Sequence, residues 1–149
     1  MQVYNFKLVT ERLACAGQPR EGQLSLIAAE HYKVVINLGL TDTKYSLKDE
    51  KASVEAMGLT YHHIPVVFED PQPQQLLDFI GIMNACSREK VFVHCAANYR
   101  ASAFTGLYLF QSKYITEIEM HAFIEDVWQP DAIWEQFVEE SVEMIKQMG

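Results

Sequence analysis

The stretch His94-Cys95-Ala96-Ala97-Asn98-Tyr99-Arg100-Ala101-Ser102 brings a thiol, a guanidinium and a hydroxyl close together in the chain. A cysteine is a nucleophile as its thiolate, which a nearby cation or a helix N-terminus stabilises. An arginine offers a planar fork that can hold two oxygens of an oxyanion at once. Four residues separate Cys95 from Arg100. Before them lies KVFVHC, residues 90–95, a short apolar run of strand length; after them lies ASAFTGLYLF, residues 101–110, with no charged residue. If the first is a strand and the second a buried helix, Cys95 sits at a strand's carboxyl end, where α/β folds bind their ligands. The helix would point its free N–H groups back at the loop, an arrangement that binds anions. Thiolate, amides and guanidinium together make a site for a phosphate-like group. The plainer alternative is a buried strand-end thiol with a surface arginine. The strand end, His94, the uncharged helix and Ser102 favour the anion site.

The elements that would position this loop can be read from periodicity. VYNFKLV at the start alternates and predicts a strand, and RLACAGQ a second short strand broken by Gly17-Gln18-Pro19. REGQLSLIAAEH sets Leu24, Ile27 and Ala28 on one helical face. KVVINL, residues 33–38, is continuously apolar, as a parallel strand buried on both faces is. SLKDEKASVEAM predicts a polar helix stopped by Gly58, and LTYHHIPV the next strand. QQLLDFIGIMNA carries Leu76, Phe79, Ile80 and Met83 at helical spacing. Beyond the central helix, Thr116 and Glu119 form a capping-box pattern, and Pro130 suits the first turn of a last helix with an apolar face of Ile133, Phe137, Val138, Val142 and Ile145. Alternating strands and helices followed by a helical run predict an α/β fold, a central, mostly parallel sheet flanked by helices.

Length and charge narrow the classes. At 149 residues the chain suits a single domain, residues 1–149, with its own core. A formal net charge of −8 argues against generic binding to nucleic acid or anionic membranes. Three irregularly spaced cysteines, Cys15, Cys86 and Cys95, do not form a disulfide framework, which points to a reducing compartment. No run reaches the ~18 apolar residues of a membrane span, and the start lacks the apolar core of a signal peptide. A cytoplasmic protein is therefore expected, although a leader already removed would leave the same sequence.

HCAANYRAS resembles the signature loop of the cysteine-dependent tyrosine and dual-specificity phosphatases, His-Cys-x5-Arg-Ser/Thr, here one residue shorter. RLACAGQP, KVVINL and YHHIPV resemble segments of the same group, so the likeness spans most of the chain. The Cys-x4-Arg spacing is similar to that of a bacterial phosphatase-like family also found fused in β-lactamase-hydrolase-like proteins. The resemblance implies a dual-specificity phosphatase-like fold and a phosphomonoester hydrolase that needs no cofactor or metal. It implies that Cys95 attacks phosphorus to form a phosphocysteine. It also implies that Arg100 and the backbone N–H groups of Ala96, Ala97, Asn98, Tyr99, Arg100 and Ala101 hold the equatorial oxygens. Ser102 would donate to the departing thiolate, and His94 would orient the loop. Asn98 stands where the family usually has glycine, and asparagine tolerates a left-handed backbone better than other residues. The family's general acid is an aspartate on a separate loop; FEDPQP, residues 68–73, makes Asp70 the first candidate and Glu69 the second. The expected partner is a phosphorylated small molecule or protein, with no nucleic acid and no membrane; the sequence is silent on oligomeric state.

Two other classes remain open at this point. Rhodanese-type sulfurtransferases also hold a cysteine loop over amide donors, and their shorter loop matches Cys-x4-Arg; Cys95 would then carry a persulfide. A non-catalytic phosphate-binding module is the third reading. His94 before the cysteine, AGQP and the strand order favour the phosphatase. His62 and His63, adjacent on a strand, face opposite ways and cannot chelate one metal together. His31 and His121 stand alone on helices, and no Cys/His spacing suggests zinc. Cys86 and Cys15 read as core thiols, although Cys86 could pair with Cys95 and Cys15 could lie near the active loop. Trp128 and Trp134 read as core. Tyr99 either meets substrate or shapes the pocket. The acidic last helix, with Glu135, Glu139, Glu140 and Glu143, reads as a solvated face.

Overall fold

The computed structural model describes residues 1–149. Five strands form one sheet: β1 (Lys7–Thr10), β2 (Leu13–Ala16), β3 (Val34–Asn37), β4 (Thr60–His63) and β5 (Val91–His94). Their order is β1-β2-β5-β3-β4; only the edge pair β1/β2 is antiparallel, and the rest run parallel. The helices are α1 (Leu24–Ala29), preceded by a 3-10 turn, α2 (Glu50–Ala56), α3 (Pro73–Ala85), α4 (Tyr99–Gln111), α5 (Glu117–Glu125) and α6 (Ala132–Gln147).

The period-2 geometry of the strands splits the core into two layers. Leu13, Cys15, Val34, Ile36, Val91 and Val93 pack on one face against α3 to α6. Ala14, Ala16, Val35 and Phe92 pack on the other against Leu24 and Ile27 of α1 and Val54 of α2. Both faces are covered, which is why these strands are apolar throughout. Helix α4 is central: Ala101, Ala103, Phe104 and Leu107 are fully buried. Phe104 meets Phe79 of α3 and Phe137 of α6 at 5.7 Å between ring centroids.

Three sequence expectations change. The first strand begins at Lys7 instead of Val3, because Tyr4 and Asn5 turn over the end of β2; Asn5 takes φ 51° and the Tyr4 carbonyl accepts from Gly17 N. Helix α2 begins at Glu50, where Asp49 caps it by accepting from Ala52 N, so Ser46–Lys48 stay outside. On α6, Ile133 is exposed and Trp134 is buried in its place. Asp131 caps that helix by accepting from Trp134 N, which fixes the rotation of its first turn. Gly58 ends α2 at φ +80°, the left-handed conformation that its position predicted.

Candidate active site

Strand β5 ends at His94, so Cys95 emerges at the carboxyl edge of the parallel sheet, between β2 and β3. Asn98 then reverses the chain at φ 71°, and α4 starts at Tyr99 instead of residue 101. The shorter loop is thus taken up by an earlier helix start. Arg100 and Ala101 fall in the first turn, and Ala101 N–H donates to Cys95 Sγ at 3.4 Å. A helix-terminal amide aimed at sulfur favours negative charge there. No carbonyl accepts from the backbone N–H groups of Ala96, Ala97, Tyr99 or Arg100, so the loop keeps free donors, while Gly17 and Ala97 form an isolated antiparallel bridge at its outer side. Cys95 is 1% exposed.

The loop is held from outside. Asn98 Nδ2 donates to Asn5 O and Asn5 Nδ2 to Ala97 O, both at 2.9 Å, a reciprocal clasp that explains the turned N-terminus. Gln18 N donates to Ala96 O at 3.0 Å. Gly17 lies so close that a Cβ there would stand 2.7 Å from Ala96 O and 2.7 Å from Tyr4 Cδ2. Only glycine fits that approach.

His94 is fully buried behind the loop. Its Nε2 is paired with Glu50 Oε2 at 2.5 Å, and its Nδ1 lies 3.3 Å from Cys95 O. Gln18 Nε2 donates to the other Glu50 oxygen at 2.8 Å. Burial works to raise the Glu50 carboxyl; the hydrogen bond and charge of His94, with Gln18 and His63, outweigh it and hold the carboxyl below its ordinary range. Gln18, Glu50 and His94 therefore form a buried polar chain that ends on the carbonyl of Cys95.

Arg100 is 8% exposed. Its Nη1 donates to Val66 O at 2.7 Å, its guanidinium lies over the Phe68 ring at 6.0 Å, and its buried Nε has no protein acceptor. A buried donor left open requires a partner, and an oxyanion would supply one. The Val66 bond also moors the loop that carries Glu69 and Asp70. Trp134 Nε1 donates to Phe68 O at 2.7 Å, and Phe68 packs against Tyr99, Trp128 and Trp134. Tyr99 stacks on Trp128 at 4.5 Å and 6°. Glu69 and Asp70 stand exposed on this loop. Asp70 Oδ1 accepts from Gln72 Nε2 at 2.7 Å.

Ser102 departs from its expected role. Its hydroxyl donates to Tyr99 O at 3.1 Å and not to Cys95 Sγ. Because α4 starts early, Ser102 is already inside the helix, where a serine bonds back to the preceding turn. Cys15 sits in β2 opposite Val93, on the Cys95 face, and burial pushes its thiol up to about 12. Cys86 caps α3 beside Leu13 and Val91, at the far end of β5 from Cys95. Strand length alone separates them by ~13 Å, too far for a disulfide. All three cysteines are free.

Sequence reasoning missed Glu50, Asn5 and the mooring by Val66 and Trp134. Glu50 read as one more charge on a polar helix; only the fold shows that it is buried against His94. No cluster of His, Cys, Asp and Glu residues is arranged to hold a metal ion.

No family model matches the chain, and no curated protein matches its sequence. Solved structures do match. A candidate phosphatase (DUF442) from Shewanella putrefaciens CN-32 superposes with a TM-score of 0.89 at 28% identity, over 97% of this chain and 95% of that one. Tk-PTP in its active form gives 0.76 at 23% identity, over 96% and 97%. PTPMT1 in complex with PI(5)P gives 0.79 at 14% identity, over 96% and 97%. The last two likenesses speak for the fold.

Proposed function

We propose that this chain, which shares the fold of cysteine-dependent tyrosine and dual-specificity phosphatases, is a phosphomonoester hydrolase working through a phosphocysteine at Cys95. The observation that carries this reading is the pairing of two features in one helix turn. Ala101 N–H donates to the Cys95 sulfur, and the buried Arg100 Nε has no protein acceptor.

The chemistry follows from those groups. Cys95 Sγ attacks phosphorus; the S–P bond forms as the bond to the leaving oxygen breaks. The free amides of the loop and Arg100 take up the charge on the equatorial oxygens, interactions worth about 10²–10³ in rate for each donor. Asp70 gives its proton to the leaving oxygen, so that an alcohol departs. Water then attacks the phosphocysteine, Asp70 takes a proton back, and inorganic phosphate leaves with the thiolate restored. His94 and Glu50 touch no substrate; they fix the carbonyl of Cys95 and thereby the aim of the sulfur. The substrate is a phosphorylated small molecule or protein.

Hydrolysis of 4-nitrophenyl phosphate between pH 5 and 8 tests the proposal, with Cys95→Ser beside the wild type. The variant is expected to lose turnover by about a thousandfold or more while still binding oxyanions such as phosphate. Intact turnover in Cys95→Ser would remove the mechanism. The short loop motivates a second arm with thiosulfate and cyanide: sulfur transfer by a folded protein that spares phosphate esters would replace the hydrolase reading.

A further inference from the structure

Beside the loop lies a cleft of about 610 Å³ whose floor includes Ala96 and Ala97. Its walls carry Tyr4, Arg20, Lys44 and Tyr45. The two tyrosines are more than half exposed. Lys44 Nζ stands over the Tyr45 ring at 5.0 Å. Neither Arg20 nor Lys44 takes part in an ion pair. One acid lines the cleft, Glu21, and its carboxylate is engaged by the Ser53 hydroxyl. Two cations without ion-pair partners thus line a cleft that borders the loop at Ala96 and Ala97, in a chain whose net charge is −8.

The acids of the site approach from elsewhere. The loop bearing Glu69 and Asp70 joins it through Arg100 and Tyr99, whereas the cleft joins it through Ala96 and Ala97. A second negative group on a substrate is therefore repelled from one approach and attracted to the other. The cleft has the size of a small-molecule site, and its tyrosines offer flat walls for a carbon skeleton. We propose that this cleft receives the leaving-group side of a small phosphomonoester that carries a second acidic group, a carboxylate or a second phosphate. Arg20 and Lys44 bind that group while Cys95 attacks the first phosphate. The inference rests on the hydrolase reading and names its substrate class.

The test compares phenyl phosphate, its para-carboxymethyl derivative and 1,4-phenylene bisphosphate, all phenol esters. In the wild type a second acid should raise kcat/KM about fivefold to tenfold, and concentrated salt should erase the gain. In the Arg20→Ala/Lys44→Ala double variant the ratio to phenyl phosphate should fall toward one, while Lys113→Ala, a remote exposed cation, should leave the ratio alone. Whichever diacid gains more identifies the group recognised. Equal kcat/KM for all three esters in the wild type, or a ratio that survives the double variant, overturns the proposal with the hydrolase reading intact. If no ester turns over, the hydrolase reading fails by itself. Calorimetry of the same compounds on Cys95→Ser then decides the cleft: tighter binding of the diacids, lost with Arg20 and Lys44, supports it, and equal binding overturns it.

Discussion

Cys95, Arg100 and Asp70 divide the proposed reaction among themselves, and the structure treats them differently. Cys95 and Arg100 are buried, whereas Asp70 is exposed and its carboxylate accepts only from Gln72. A proton donor matters most when the leaving oxygen is basic. Asp70→Asn should therefore lower kcat/KM, which reads the leaving-group step, by about a hundredfold for alkyl or phenyl phosphates and hardly change it for 4-nitrophenyl phosphate. Equal slowing of both esters would assign the proton to another group, with Glu69 next to be substituted. That Cys95 and Arg100 share one loop was legible from their types and spacing, and the left-handed Asn98 from the resemblance, since it stands where the family usually has glycine. Ser102 was legible by type only. Its hydroxyl bonds to Tyr99 O, since the shortened loop draws it into the helix, and spacing counted in sequence does not reveal where a helix begins.

At the scale of elements, the loop depends on segments distant in the chain. β2 brings Gly17 against Ala96, and α2 brings Glu50 against His94. In Gly17→Ala the new Cβ must displace Ala96 O or the Tyr4 ring, and overpacking of this kind costs about 1–3 kcal/mol. Activity should fall further than the shift in Tm explains, because Ala96 belongs to the anion loop; an active, fully stable variant would show that the approach can relax freely. Glu50 gives a pH signature. Its folded carboxyl is held below the ordinary value, so its contribution is complete above about pH 4.3 and is lost as pH falls through the folded value. Thermal unfolding of the wild type should therefore steepen in acid, and Glu50→Gln should flatten that dependence. Glu50→Ala, which strands His94, should cost about 3 kcal/mol at neutral pH. Parallel stability curves for wild type and Glu50→Gln would remove Glu50 from the pair. None of this was legible beforehand, since a helix read as polar gives no sign of which carboxylate it buries. Strands β2, β3 and β5 were legible because burial on both faces leaves them largely apolar.

For the molecule as a whole, the site sits where the topology dictates. β5 runs in the middle of the sheet, so its carboxyl end opens between β2 and β3 and lies beneath α4. The core on the α3–α6 side is the platform for that helix. Phe104, in contact with Phe79, Trp134 and Phe137, joins three of its helices. Phe104→Ala should lower stability by about 3–5 kcal/mol, measured by denaturant unfolding, and should lower activity through the same helix. A loss well under 1 kcal/mol would mean that α4 is held by the sheet alone. The sequence pattern conveyed the α/β class and the central place of α4 from a helix without charge. It could not convey the mooring of the acid loop by Trp134 or the cationic cleft beside Ala96, because both join segments that only the tertiary fold brings together.

The central claim is a covalent bond between Cys95 and phosphorus. Rapid acid quenching during turnover of an aryl phosphate, followed by peptide mass spectrometry, tests it most directly. The account predicts the added mass of one phosphoryl group on the peptide holding Cys95, absent in Cys95→Ser and longer-lived in Asp70→Asn. Steady hydrolysis with no phosphorylated Cys95 at any quench time, or the phosphoryl group on another residue, would contradict it.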